Sequence, residues 1–107
     1  MSGITTHVLD TARGRPAAGV PVRLELRDGE QWREIGRGTT DDDGRLRTLT
    51  GPSIEAGTYR ITFDTGAYNA NGFFPEVAIV FEVKDAAQHY HVPLLLSPFG
   101  YSTYRGS

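Results

Sequence analysis

At 107 residues the chain is long enough for one hydrophobic core and too short for two domains of ordinary size. Eleven Lys and Arg against thirteen Asp and Glu leave a formal net charge of -2, too little to build a strong field for a nucleic acid backbone or an anionic membrane. With no cysteine there is no disulfide scaffold, thiol nucleophile or cysteine-ligated zinc, and no apolar run approaches the roughly 20 residues that cross a bilayer, so a cytoplasmic protein is the default expectation.

Short alternating or β-branched runs separated by Gly, Pro and Asp recur from end to end, the pattern of an all-β sandwich or barrel. Ile4 to Leu9 is the first run, and the turn-rich Arg13-Gly14-Arg15-Pro16 follows it. Val20, Val22, Leu24 and Leu26 then alternate with polar residues, which predicts a half-buried strand over 20–26. Trp32 to Thr40 predicts a third strand, Asp41-Asp42-Asp43-Gly44 a turn, and Arg45 to Leu49 a short strand that would form a hairpin with the third. Thr58 to Phe63 places Tyr59, Ile61 and Phe63 on one face, and Val77 to Val83 does the same with Val77, Ile79, Phe81 and Val83. Between them, Asp64 to Asn71 has no β-branched residue except Thr65 and suits a short helix, against the resistance of Gly66. His89 to Leu96, bounded by Ser97-Pro98, and Tyr101 to Tyr104 complete the strands of a single domain spanning 1–107, with no internal repeat or linker.

The three histidines, His7, His89 and His91, are the side chains whose ordinary pKa suits proton transfer near neutral pH, and all lie on predicted strands. Side chains two apart on a strand share a face, so His89 and His91 point the same way and Tyr90 the other. From the residues alone three readings stay open: zinc ligands, a metal-free acid–base site, or ordinary surface and interface histidines, the last being the plainest. Arg45 and Arg47 are also two apart, fit to grip a planar anionic or carbonyl-rich ligand or simply to guard a solvated edge strand. The Asp41–Gly44 run lacks the further ligands and downstream Glu of a calcium loop and reads as a turn. The polar, aromatic tail from Tyr101 to Ser107 has the composition of a terminus that frays.

Five segments, Thr6-His7-Val8-Leu9-Asp10, Asp43-Gly44-Arg45, Phe73-Phe74-Pro75-Glu76, His89-Tyr90-His91-Val92-Pro93-Leu94-Leu95-Leu96-Ser97-Pro98 and Tyr101-Ser102-Thr103-Tyr104-Arg105-Gly106-Ser107, together resemble the 5-hydroxyisourate hydrolase family. The likeness runs over essentially the whole chain, and its most specific element is the Tyr-Arg-Gly-Ser ending, which separates the hydrolases from the hormone-carrying transthyretins. It implies a transthyretin-like two-sheet β-sandwich of about eight strands with one short helix, assembled as a homotetramer, a dimer of dimers around a central channel. It also implies hydrolysis of 5-hydroxyisourate without a cofactor or metal. His7, Arg45, His91 and Ser107 would be catalytic, and His7, Arg45, His91, Tyr104 and Arg105 would contact substrate. One of His7 and His91 would serve as general base, Arg45 as anchor and oxyanion partner, and His89 would support the site or pack at an interface. The rival readings are a transthyretin-type binding protein with an apolar channel, and a structural sandwich module suggested by Gly14 to Val22.

Overall fold

A computed structural model describes residues 3–106; the role expected for Ser107 lies outside the described residues. Alternation of apolar and polar side chains folds the chain into β1 (Gly3–Asp10), β2 (Arg15–Pro16), β3 (Pro21–Asp28), β4 (Gln31–Thr39), β5 (Arg45–Leu46) and β6 (Gly57–Phe63). A short helix α1 (Thr65–Tyr68) precedes β7 (Val77–Val83), β8 (His89–Leu96) and β9 (Tyr101–Thr103). One sheet runs β2-β1-β8-β9, with β5 also paired to β1; the other runs β4-β3-β6-β7. The two inner faces meet over Ile4, Val8, Leu24, Tyr59, Ile61, Phe63, Val77 and Leu94, all essentially shielded from solvent. Each such burial contributes on the order of 1.5–3 kcal/mol for a Val, Leu, Ile or Phe side chain. Among the described residues no helix is long and apolar enough to cross a membrane.

The sandwich and its alternating strands match the sequence reading, but five local expectations need correction. The strand at Arg45 does not form a hairpin with β4: β4 pairs with β3 from Pro21 opposite Thr39 to Asp28 opposite Gln31, whereas β5 crosses to the other sheet and pairs with β1. The Asp41 carboxylate drives that crossing by accepting the backbone N–H groups of Asp43 and Arg45 at 2.9 and 3.0 Å, and the Gly44 carbonyl then accepts the Val8 N–H at 2.7 Å. Beyond Leu46 the segment leaves the strand, with Leu49 buried in the core. Arg15–Pro16, read as turn, adds a two-residue strand against Leu9 and Asp10, so there are nine strands among the described residues where about eight were expected.

The helix is four residues long, shorter than the 64–71 expectation. The Asp64 side chain caps it by accepting the Ala67 N–H at 3.1 Å, and the chain is already extended again at Asn69. The Tyr68 hydroxyl ties it to β1 by donating to Asp10 at 2.6 Å. Burial alone would raise the Asp10 pKa, but hydrogen bonds from Tyr68 and from the Arg13 and Ala12 backbone outweigh it and hold the carboxyl below its ordinary value.

The tail is held in place as far as Gly106. Thr103 donates to the Pro93 carbonyl at 2.8 Å, and the Gly106 N–H donates to the His91 carbonyl at 2.8 Å.

Gly44 occupies the left-handed region, φ +74°, and a Cβ there would lie 2.4 Å from the Val8 carbonyl oxygen. Gly44→Ala is therefore expected to lower stability by about 1–3 kcal/mol. A urea unfolding midpoint equal to that of the parent would refute this.

Candidate active site

Strand alternation turns Ile4, Thr6 and Val8 of β1 toward the core and leaves Thr5 and His7 on the outer face; on β8 it buries Tyr90, Val92 and Leu94 and leaves His89 and His91 outside. Because β1 and β8 run parallel with Gly3 opposite His89 and Thr5 opposite His91, the outer side chains of both strands form one patch. Antiparallel β5 adds Arg45 directly opposite His7. Thr5, Arg45, Arg47, His89 and His91 line a cleft of about 510 Å³ together with the 50–52 loop. That size suits a small molecule.

The hydrogen bonds within the patch are specific. The Thr5 hydroxyl lies 2.9 Å from Nε2 of His89 and 2.8 Å from Nδ1 of His91. Nε2 of His7 lies 2.9 Å from the Asp43 carbonyl oxygen. A carbonyl only accepts, so this nitrogen carries the hydrogen and the lone pair of neutral His7 is on Nδ1. Arg45 and Arg47 line the cleft wall and form no ion pair among the described residues, with the Asp41 carboxylate near enough to offset part of their charge. Burial first, and then the positive charge of Arg45, of the neighbouring His7 and His89 when they are protonated, and of Arg47, push the His91 pKa below its ordinary value. The ring is thereby kept neutral at neutral pH.

The structure thus brings together His91, His89, Arg45 and Arg47 in the cleft and places His7 beside them on the same sheet face. Tyr104 and Arg105 do not line the cleft of the single chain. Tyr104 is exposed, while the Arg105 guanidinium reaches back over the Tyr90 ring at 4.4 Å and donates to the Gln88 side chain at 3.0 Å and the His89 carbonyl at 3.3 Å. It clamps the tail to the start of β8. Among the described residues no three His, Asp or Glu side chains gather as a metal-binding set, and the facing nitrogens of His89 and His91 are both turned to Thr5. Thr5 itself was not singled out in the sequence, although the signal was present: it stands two residues before His7 and so shares its face.

The outer face of the sandwich thus carries His89, His91, Thr5 and two arginines without an ion pair among the described residues. Residues 4–106 match the HIUase/Transthyretin family. The chain belongs to that family. A relative named 5-hydroxyisourate hydrolase from Caulobacter vibrioides is 50% identical, with both chains covered over 100% of their length. A solved structure of Klebsiella pneumoniae 5-hydroxyisourate hydrolase superposes with a TM-score of 0.88 at 37% identity, covering 100% of each chain. Transthyretin from Sparus aurata superposes with a TM-score of 0.92 at 32% identity, covering 99% of this chain and 97% of that one. Within the HIUase/Transthyretin family the backbone therefore does not separate the two branches, and the side chains on the outer sheet face must.

Two outcomes follow from the packing around His91. A Cβ on Gly106 would stand 2.6 Å from Cδ2 of His91, so Gly106→Ala is expected to displace the ring and move its NMR resonances; an unchanged His91 spectrum would refute this. Removing a nearby positive charge with Arg47→Gln is expected to raise the pH at which His91 titrates, still short of the ordinary value of about 6.5. A downward shift in an NMR titration would contradict the electrostatic account.

Proposed function

We propose that the protein hydrolyses 5-hydroxyisourate to 2-oxo-4-hydroxy-4-carboxy-5-ureidoimidazoline, a cyclic amide hydrolysis in urate degradation, at a site completed by assembly into a homotetramer. The observation that carries this reading is the gathering of His7, His91 and Arg45 on one open sheet face, in a chain half identical to a relative named for that reaction. The alternative, a channel for an apolar ligand as in a binding protein, is opposed by the two guanidiniums and the imidazoles on the cleft wall.

In the proposed mechanism His7, whose Nε2–H is engaged by the Asp43 carbonyl, uses its free Nδ1 lone pair to take a proton from the attacking water. A new C–O bond forms at the ring carbonyl, and negative charge grows on its oxygen. Arg45 anchors the substrate through its guanidinium and stabilises that charge, as a preorganised donor does best in a partly water-excluded site. Collapse breaks the ring C–N bond, the departing nitrogen takes the proton back from His7, and one water has been added. The chain supplies the base, the anchor and the neutral His91 from its own side chains, with no cofactor in the scheme. Tyr104 and Arg105 shape the wall of the channel in the assembly, and Ser107 orients substrate or a histidine.

The cleft opens on a sheet face that its own chain leaves uncovered, so assembly and activity are coupled in this reading. With 5-hydroxyisourate generated in place from urate by urate oxidase, the protein is expected to accelerate the decay of its ultraviolet absorbance in the presence of a chelator. His7→Ala is expected to reduce turnover by about 10²–10⁴-fold, and a monomeric fraction should be inactive. No acceleration by a tetrameric preparation would overturn the proposal.

A further inference from the structure

The Thr5 hydroxyl bridges two imidazoles, and the hydrogen count of that bridge decides what His91 offers the cleft. A hydroxyl has one hydrogen to give, and each neutral imidazole carries one N–H. Nδ1 of His89 is buried with no hydrogen-bond partner. If the Thr5 hydroxyl donated to Nε2 of His89, the His89 hydrogen would have to sit on that buried Nδ1, leaving an unsatisfied N–H, a costly state that folded proteins rarely hold. If both rings donated to Thr5, the hydroxyl hydrogen would have no acceptor among the described residues. One arrangement uses every hydrogen: His89 Nε2–H donates to the Thr5 oxygen, and the Thr5 hydroxyl donates to Nδ1 of His91. The hydrogen of neutral His91 is then on Nε2, an atom with no partner among the described residues and on a side chain that lines the cleft.

We propose that Thr5 is a positioning residue that, backed by His89, holds His91 in the tautomer presenting an N–H donor rather than a lone pair to the cleft. The assignment deepens the hydrolase reading and rests on it for its catalytic consequence. It divides the two histidines by tautomer: His7 keeps a lone pair and acts as base, while His91 donates a hydrogen bond to the carbonyl oxygen alongside Arg45. A neutral imidazole polarises a carbonyl in this way without giving up its proton. Burial above all, then the charge of Arg45, of His7 and His89 whenever they are protonated, and of Arg47, favours the neutral ring of His91, so the donor is a neutral one at working pH. A hydroxyl is needed at position 5 for this role, and a methyl in its place would serve only as packing.

The test reads the histidine ring nitrogens of the ¹⁵N-labelled protein by NMR near neutral pH, and turnover in the 5-hydroxyisourate assay, for wild type, Thr5→Ser and Thr5→Val. Wild type and Thr5→Ser are expected to show His91 and His89 protonated on Nε2, with kcat in Thr5→Ser within about threefold of wild type. Thr5→Val is expected to lose the single His91 tautomer and to lower kcat about tenfold, short of the full loss of a donor, with KM little changed. His91 protonated on Nδ1 in wild type, or His89 protonated on Nδ1, would overturn the assignment; so would an unchanged kcat in Thr5→Val. Should Thr5→Val not fold, the wild-type spectrum and Thr5→Ser still decide. The expected tautomers in a wild type that leaves 5-hydroxyisourate untouched would support the positioning role of Thr5 while removing the proposed substrate.

Discussion

Eight consecutive residue pairs hold β1 and β8 in parallel register, from Gly3 opposite His89 to Asp10 opposite Leu96, and the rest of the molecule depends on that alignment. Strand side chains alternate with a period of two, so a one-residue slip of β1 would drive His7 into the sandwich and expel Ile4 and Val8, and one of β8 would bury His89 and His91 and expel Leu94. Burying unpaired imidazoles while losing several apolar contacts, each of order 1.5–3 kcal/mol, makes that slip prohibitive. The hydrophobic core thereby sets the spacing of the polar patch on the other side of the same two strands. Parallel partners cannot be joined by a tight turn, and here nearly the whole chain lies between them.

This division of labour between the two faces of one sheet explains how a single backbone serves both branches of its family. The inward residues of β1 and β8 are committed to packing, whereas the outward residues contribute little to the core and can change without loss of fold. Superposition on a transthyretin and on a hydrolase is accordingly about equally good. In the proposed mechanism the chemistry rests on a few outward side chains, and the structure gives each a neighbour: the Asp43 carbonyl behind His7, Thr5 between His89 and His91, and Gly106 against the His91 ring. Each neighbour acts over a contact of about one atom's breadth, and none alters the fold.

The expectations that failed share a cause. The turn at Asp41–Gly44 was legible from its residues, but a turn does not specify which strand the chain meets on leaving it. The hairpin expectation assumed the nearest strand in sequence, and β4 had already found its partner in β3. The two-residue strand at Arg15–Pro16 is too short to carry a periodic signal and exists because β1 offers an open edge there. The tail has a composition that frays, and what holds it is long-range: the Arg105 guanidinium on Tyr90 and the Gly106 bond to the His91 carbonyl.

By itself the sequence determined the longer strands, their inward and outward faces, the shared face of His89 and His91, and, through its motifs, the family. These are local properties, written in a period of two and in the identity of each side chain. Only the tertiary structure decided that Thr5 stands between two histidines, that Arg45 lies opposite His7, and that Thr5, Arg45, His89 and His91 line one cleft with His7 beside it. Those facts depend on which strands pair and in what register. Pairing is settled by burial summed over the whole core, a quantity that no single segment of the chain contains.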